Sequence, residues 1–297
     1  MNLEKLNVIG LQLGEYNCEI IANYGAALKS YKFRETEFVD GYSQPIEIEK
    51  QKYKGVILAP FPNRIAEARY AFQKEDYKLA INREKEGLAL HGLLYQKPFE
   101  VVQQKGHEAI LRYNYTGLEE GYPFPFSLTV TYSLKKDGCL KISSTAENKG
   151  EYMPFGLGWH PYFKMNSSVD YLKLEMPPCL HVELNESLLP TQELKPFNTE
   201  KCILNLAEHN FDDCFQLSSS DDFSFKLMSD QFELQLSAES LKEFPYFQLY
   251  TPKDRKSIAI EPMTCAPDAF NNEMGLIVLK PFEKRTFTYE IWAKDRI

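Results

Sequence analysis

From Phe126 to Leu134 the chain alternates without interruption. Phe126, Leu128, Val130, Tyr132 and Leu134 fall on one side, and Ser127, Thr129, Thr131 and Ser133 on the other. A period of two is that of a half-buried strand. Lys136-Asp137-Gly138 follows as a turn signal, after which Leu140, Ile142, Ser144 and Ala146 alternate against Lys141, Ser143 and Thr145. The two runs predict a long hairpin. Glu100 to Gln104 and Ala109 to Tyr115 predict another, joined around Lys105-Gly106-His107. Cys18 to Ile21 with Ala27 to Phe33, Ala71 to Ile81, Leu172 to Met176, Leu180 to Leu184, Ser224 to Met228, Phe232 to Leu236, Phe247 to Tyr250 and Thr286 to Trp292 add further strands. No sustained helical period appears, and Leu118 to Gly121 predicts one helical turn. The polar stretch Ser218-Ser219-Ser220-Asp221-Asp222 reads as a hairpin loop. Many short strands separated by turn residues predict an all-β sandwich or barrel. No composition break, linker or repeat divides the chain, so a single domain over residues 1–297 is expected.

Composition narrows the function more than the fold. The hydrophobic share of 43% and charged share of 26% are those of a soluble globular protein. A formal charge of −8 and an isoelectric point near 5.3 argue against a nucleic-acid partner, which requires a basic footprint. No apolar run approaches the roughly 20 residues that span a bilayer, and the N-terminal stretch has no signal-peptide pattern, so no membrane partner is expected. Cys18, Cys139, Cys179, Cys202, Cys214 and Cys265 are scattered, with no C-x-x-C pair. That is neither a zinc signature nor a disulfide framework, and reduced thiols in a cytoplasmic protein are expected. Cys214 and Cys265 read as small packing residues.

Two segments carry candidate chemistry. In Ile258-Ala259-Ile260-Glu261-Pro262-Met263-Thr264-Cys265-Ala266-Pro267 an apolar run ends in a carboxylate and two prolines follow. Glu261 is expected where the strand leaves the sheet for an ordered loop, half-buried, with burial raising its pKa. In Phe155-Gly156-Leu157-Gly158-Trp159-His160-Pro161-Tyr162-Phe163 a histidine stands among aromatics. Histidine exchanges protons near neutrality, and rings around it can support a sugar. Taken singly, a strand-end glutamate is more often a cap and such a histidine more often a satisfied core residue. Together they make an acid–base pair plausible on chemical grounds.

With Pro62-Asn63-Arg64-Ile65, Leu90-His91-Gly92 and Phe211-Asp212-Asp213-Cys214-Phe215, these segments resemble, in order, the motifs of the aldose 1-epimerase (galactose mutarotase) family. The resemblance implies the large twisted antiparallel β-sandwich of the galactose mutarotase-like fold, with a sugar site on a concave sheet face. It implies Glu261 as base, His160 as acid, and His91, Arg64 and Asp212 as substrate-binding residues, with Asn63 a weaker candidate. Asp213 adjoins Asp212, and strand alternation sends only one of them to the site. Leu93 stands where the best-known members have a second glycine, Pro161 follows the acid histidine, and Pro262-Met263-Thr264 replaces their usual Thr-Gln. These departures resemble a shorter, divergent branch.

The implied reaction interconverts α and β anomers of a free aldose. A base takes the anomeric hydroxyl proton while an acid protonates the ring oxygen, and the opened sugar closes on its other face. No cofactor or metal is required, and His160 is expected to be held protonated. The expected partner is a small-molecule sugar, with the protein a monomer or weak homodimer. Two alternatives accompany this reading. One is a hexose-6-phosphate 1-epimerase, for which Arg34, Arg69 and Arg83 are available cations. The other is a carbohydrate-binding or sensing module without turnover.

Overall fold

A computed structural model describes residues 5–119, 121–165, 168–218, 224–238 and 243–296. The alternating runs become paired strands. Phe126–Leu134 and Leu140–Asn148 lie antiparallel, from Phe126 opposite Asn148 to Leu134 opposite Leu140. Leu140–Asn148 alternates buried and half-buried positions along its whole length, as its pattern predicts.

These strands sit inside a nine-stranded antiparallel sheet. Its order is Glu100–Lys105, Glu108–Tyr115, Phe126–Leu134, Leu140–Asn148, Lys284–Asp295, Phe232–Ala238, Ser224–Met228, Lys173–Met176 and Cys202–Asn205. A second antiparallel sheet runs Pro190–Asn198, Cys179–Leu184, Asp212–Leu217, Tyr246–Tyr250, Ile258–Met263, Gly158–Trp159 and Ile57–Leu58, with Tyr162–Phe163 also paired to Ile258–Met263. Aromatic rings meet between the two. Trp159 packs on Tyr132 and Tyr289 at centroid distances of 6.0 and 5.9 Å, and Phe225 meets Phe247 at 4.7 Å. The Trp159 indole donates to Ser144 Oγ at 3.3 Å, so its polar atom is satisfied in the core. Each such ring contributes on the order of 1.5–3 kcal/mol by burial. The largest buried cluster runs from Ile9 to Ala293 and takes residues from both sheets. The result is an all-β antiparallel sandwich.

Several elements differ from the sequence reading. Ala71 to Ile81 is not one strand but the hairpin Arg69–Phe72 and Glu75–Lys78. Gln73 and Lys74 turn it with φ of 51° and 72°, a left-handed turn made without glycine and so without the usual signal. Leu118, Glu119 and Gly121 form no helix; Tyr122 N–H closes a turn onto the Glu119 carbonyl at 2.9 Å, and residue 120 lies outside the described residues. The predicted loop at Ser218–Asp222 falls, beyond Ser218, outside the described residues. Among the described residues the α-helices are Pro45–Lys50 and Ala269–Asn272. The first starts at Pro45, where a proline costs no hydrogen bond, and the Glu47 carboxylate accepts from the Ser43 N–H at 2.6 Å.

Candidate active site

Glu261 is not at a strand exit. The strand continues through Pro262 and Met263, with Gln248 opposite Glu261, Phe247 opposite Pro262 and Tyr246 opposite Met263. Proline is tolerated because of where its nitrogen faces. Thr264 N–H donates to Leu157 on the far side of the strand, and alternation turns the Pro262 nitrogen the same way. There the neighbouring strand is itself broken, between Gly158–Trp159 and Tyr162–Phe163. His160 and Pro161 occupy that break, so the missing proline donor and the displaced histidine belong to one irregularity. Gly158 suits the same crowded place, because a Cβ there would lie 2.9 Å from the Pro62 ring.

His160 is fixed by its backbone. Its N–H donates to the Val56 carbonyl at 3.1 Å, and its carbonyl accepts from Gly55 N–H at 2.8 Å. The ring stacks on Tyr162 at 4.8 Å and 8°. His160 Nε2 then lies 3.3 Å from Glu261 Oε1, with the side chains only 7% and 2% exposed. His160 Nδ1 and Glu261 Oε2 are buried without a protein partner.

This burial decides the charge state. It pushes the His160 imidazole down to about 3 and holds the Glu261 carboxyl well above the ordinary carboxylate range, where Asp212 adds to the rise and Arg64 opposes it. The sequence reading expected a protonated histidine. Burial works against that expectation, because dry surroundings penalise an imidazolium more than the neutral pair. Both shifts run in the same sense, favouring the neutral pair over the ion pair.

Asn63, Arg64, His91, His160, Asp212 and Glu261 all line a cavity of about 390 Å³, a volume within the usual range for small-molecule sites. Asn63 and His91 both have left-handed backbones, with φ of 56° and 63°. They face each other across the short pairing of Arg64 with Leu90. Arg64 is only half-exposed, and burial lowers its pKa while Asp212 counters. Its Nη1 donates to Asn63 Oδ1 at 2.8 Å rather than reaching Glu67.

Asp212 and Asp213 part as alternation requires. Asp212 lines the cavity and accepts from Gln248 Nε2 at 3.1 Å. Asp213 turns away to His181 on the neighbouring strand Cys179–Leu184, 3.0 Å from Nε2. Burial raises the Asp212 pKa, against the pull of Arg64.

Other residues of the cavity escaped the sequence reading. Gln248 is 3% exposed and bridges two site groups, accepting from Asn63 Nδ2 at 3.3 Å while donating to Asp212. Its only sequence signal is a polar residue inside Tyr246-Phe247-Gln248-Leu249-Tyr250, an otherwise apolar strand. Tyr53, Tyr162 and Tyr250 supply the aromatic lining. Trp159 and Phe163 are fully buried, outside that lining, as packing residues. Cys214 and Cys265 are also buried, which pushes the Cys265 thiol up to about 12.

Known proteins agree with this architecture. The chain is 28% identical to the uncharacterised protein YihR of Escherichia coli K12, over 97% of this chain and 94% of that one. It is 25% identical to human galactose mutarotase over 64% of this chain and 56% of that one. A crystal structure of a galactose mutarotase-like protein of Clostridium acetobutylicum superposes with a TM-score of 0.87 at 18% identity, covering 98% and 96% of the two chains. The aldose epimerase homologue of Caenorhabditis elegans gives 0.86 at 19% identity, covering 98% and 99%. At such identities these structures speak for the fold, whose two-sheet architecture is that of galactose mutarotase-like proteins. The aldose 1-epimerase family profile matches residues 8–292, from the first strand to the last, and the chain belongs to that family.

Proposed function

We propose that the protein is a cofactor-independent aldose 1-epimerase acting on a free sugar, with Glu261 as base and His160 as acid. One observation carries this reading. Two buried groups of opposite proton chemistry stand 3.3 Å apart at a cavity wall, each with a further polar atom that has no protein partner. Leaving such atoms dry costs on the order of 1–3 kcal/mol each, which a sugar's hydroxyls can relieve.

The proton balance follows from the resting state. When the sugar enters, the proton on Glu261 passes to His160, leaving a carboxylate and an imidazolium. Glu261 then takes the O1 proton and His160 gives its proton to O5. The C1–O5 bond breaks as C1=O1 forms. Rotation about C1–C2 presents the other carbonyl face, and the reverse transfers close the ring. The pair ends with the one proton it began with. Each positioned acid or base contributes about 10²–10⁴-fold.

The surrounding groups suit this role. Arg64 presents a planar fork suited to sugar oxygens, and Asp212 accepts from sugar hydroxyls. His91, whose Nδ1 is occupied, offers Nε2–H as a donor. Asn63 orders Arg64 and Gln248 rather than acting alone. The six free cysteines fit a cytoplasmic enzyme, and on this reading it works as a monomer or weak homodimer.

The test is anomer equilibration followed by NMR. α-D-glucose, α-D-galactose and α-glucose 6-phosphate are each dissolved with wild type or with Glu261→Gln. Acceleration by wild type alone supports the reading. Equal rates with both proteins refute the base assignment, and sugar binding without any acceleration by wild type marks a binding module.

A further inference from the structure

Between helix Pro45–Lys50 and strand Ile57–Leu58 the chain reads Gln51-Lys52-Tyr53-Lys54-Gly55-Val56, one aromatic residue between two lysines. Its backbone is clamped on both sides of Tyr53. The Tyr42 hydroxyl donates to the Gln51 carbonyl at 2.5 Å and accepts from the Lys54 N–H at 2.9 Å. The Tyr24 hydroxyl donates to the Lys52 carbonyl at 2.8 Å. Both tyrosines are buried, and their rings meet edge to face at 6.0 Å. The same segment holds the proposed acid: Gly55 N–H donates to the His160 carbonyl, and the Val56 carbonyl accepts from His160 N–H.

Tyr53 joins two environments. It packs against a small core of its own, which includes Tyr24, Tyr42, Ile48, Val56 and Tyr95. It also lines the cavity. Its ring meets His91 edge to face at 4.6 Å and lies nearly parallel to the His160 ring, at 9° and 6.3 Å. His91 and His160 meet each other at 5.2 Å. All three pairs fall within the spacing of packed aromatic rings, about 4.5–7 Å between centroids. The ionisable groups around His160 come from several elements. Glu261 stands 3.3 Å away, His91 faces it across the cavity wall, and Tyr162 and Tyr53 lie parallel to it. Lys54 lies over the Tyr162 ring at 5.9 Å and pairs with Asp40 at 2.6 Å, while Arg64 and Asp212 act on Glu261. Burial rather than any of these charges lowers the imidazole. Of the two tyrosines beside it, Tyr162 is buried in the sheet, whereas Tyr53 is half-buried and comes from the clamped segment.

We propose that Tyr53 is a positioning residue of the epimerase: its ring sets His91 and His160 against one another and keeps water from the His160 imidazole. This rests on the epimerase reading, in which those two histidines meet the sugar. Tyr53 acts through them and takes no part in proton transfer itself. Groups of this kind depend on a supporting shell, because small misplacements of an acid or donor remove much of its effect.

The experiment compares Tyr53→Phe and Tyr53→Ala with wild type in two separate measurements. The first is NMR titration of the His160 ring in the sugar-free protein, its signal identified by its loss in His160→Asn. Water fills the space vacated in Tyr53→Ala, and the ring is expected to titrate there between about pH 4 and 6.5, a range in which wild type and Tyr53→Phe stay neutral. The second is anomer equilibration. Tyr53→Phe is expected within about threefold of wild type, and Tyr53→Ala about 10–100-fold lower, with the loss in kcat rather than KM and a new acid-side fall in the pH profile. Should Tyr53→Ala fail to fold, Tyr53→Leu, which keeps apolar bulk against the small core, carries the same comparison with the same signs. An unmoved His160 titration in the folded variant overturns the proposal. So does a loss confined to KM, which marks a ring that only lines the sugar, and so does an equal loss in Tyr53→Phe, which assigns the effect to the hydroxyl. If wild type accelerates no sugar, the epimerase reading fails, while the titration still decides whether Tyr53 governs His160.

Discussion

The backbone N–H of Asn63 donates to His91 Nδ1 at 3.2 Å, and the His91 N–H returns a bond to the Asn63 carbonyl at 2.7 Å. A backbone N–H can only donate, so Nδ1 is an acceptor and the proton is on Nε2. Burial, with His160 and Arg64 nearby, keeps the ring from taking a second proton, its pKa lying well below the ordinary histidine value. His91 is therefore a neutral donor. His91→Ala is expected to lower kcat/KM about 10–100-fold, the cost of one positioned donor, as measured by anomer equilibration. A loss below threefold removes His91 from the site chemistry.

The His160–Glu261 pair sets the pH profile. His160 is held down to about 3 and Glu261 is held above the ordinary carboxylate range, so neither group is expected to titrate at its usual value. Activity falls at the acid end when His160 takes a second proton, and at the alkaline end when Glu261 loses the only one. The expected profile of kcat/KM from pH 4 to 9 has no acid-side fall at the ordinary histidine value near 6.5. A clear acid-side fall centred there shows that His160 or His91 titrates normally.

Function here opposes stability. A carboxyl whose folded pKa is raised stabilises the fold fully below its unfolded value, and that contribution is lost as pH rises through the folded one. Glu261→Gln removes this loss. Thermal melts at pH 8 are expected to show the variant more stable by about 1–2 kcal/mol, with little difference at pH 4, while turnover disappears. A destabilised variant at pH 8 contradicts the burial argument.

Asp212 and Asp213 differ by one position and by one face of the sheet. Asp212→Asn is expected to raise KM by about tenfold, since it weakens an acceptor in the cavity and its bond to Gln248. Asp213→Asn faces His181 and is expected to leave KM within about twofold. The reverse result exchanges their roles.

Gly92 couples fold to site. Its φ is 73°, and a Cβ there would stand 2.3 Å from the Ala59 carbonyl oxygen. Gly92→Ala is expected to cost about 2–4 kcal/mol in denaturant unfolding and to shift the adjacent His91, lowering activity in parallel. A variant with unaltered stability shows that the strands on either side can part without strain.

Alternation along the chain determined most of the nine-stranded sheet, because each of its long hairpins has one face in the core and cannot slip by a residue without exposing it. The order of five short motifs likewise marked out Asn63, Arg64, His91, His160, Asp212 and Glu261. Local pattern failed where the backbone turns without glycine, as at Gln73 and Lys74, and where a proline sits inside a strand, as at Pro262. What a residue's pattern cannot carry is its cross-strand partner. Gln248 became a site residue only because its strand pairs it with Glu261 and its side chain reaches Asn63 and Asp212. The lowering of His160 and the raising of Glu261 were likewise tertiary outcomes, since desolvation depends on everything packed around both groups. The cationic part of the cavity lining was decided the same way: folding brings Lys50, Lys52 and Arg83 to one cavity and places Arg34 and Arg69 elsewhere, and only in three dimensions does a charge acquire neighbours.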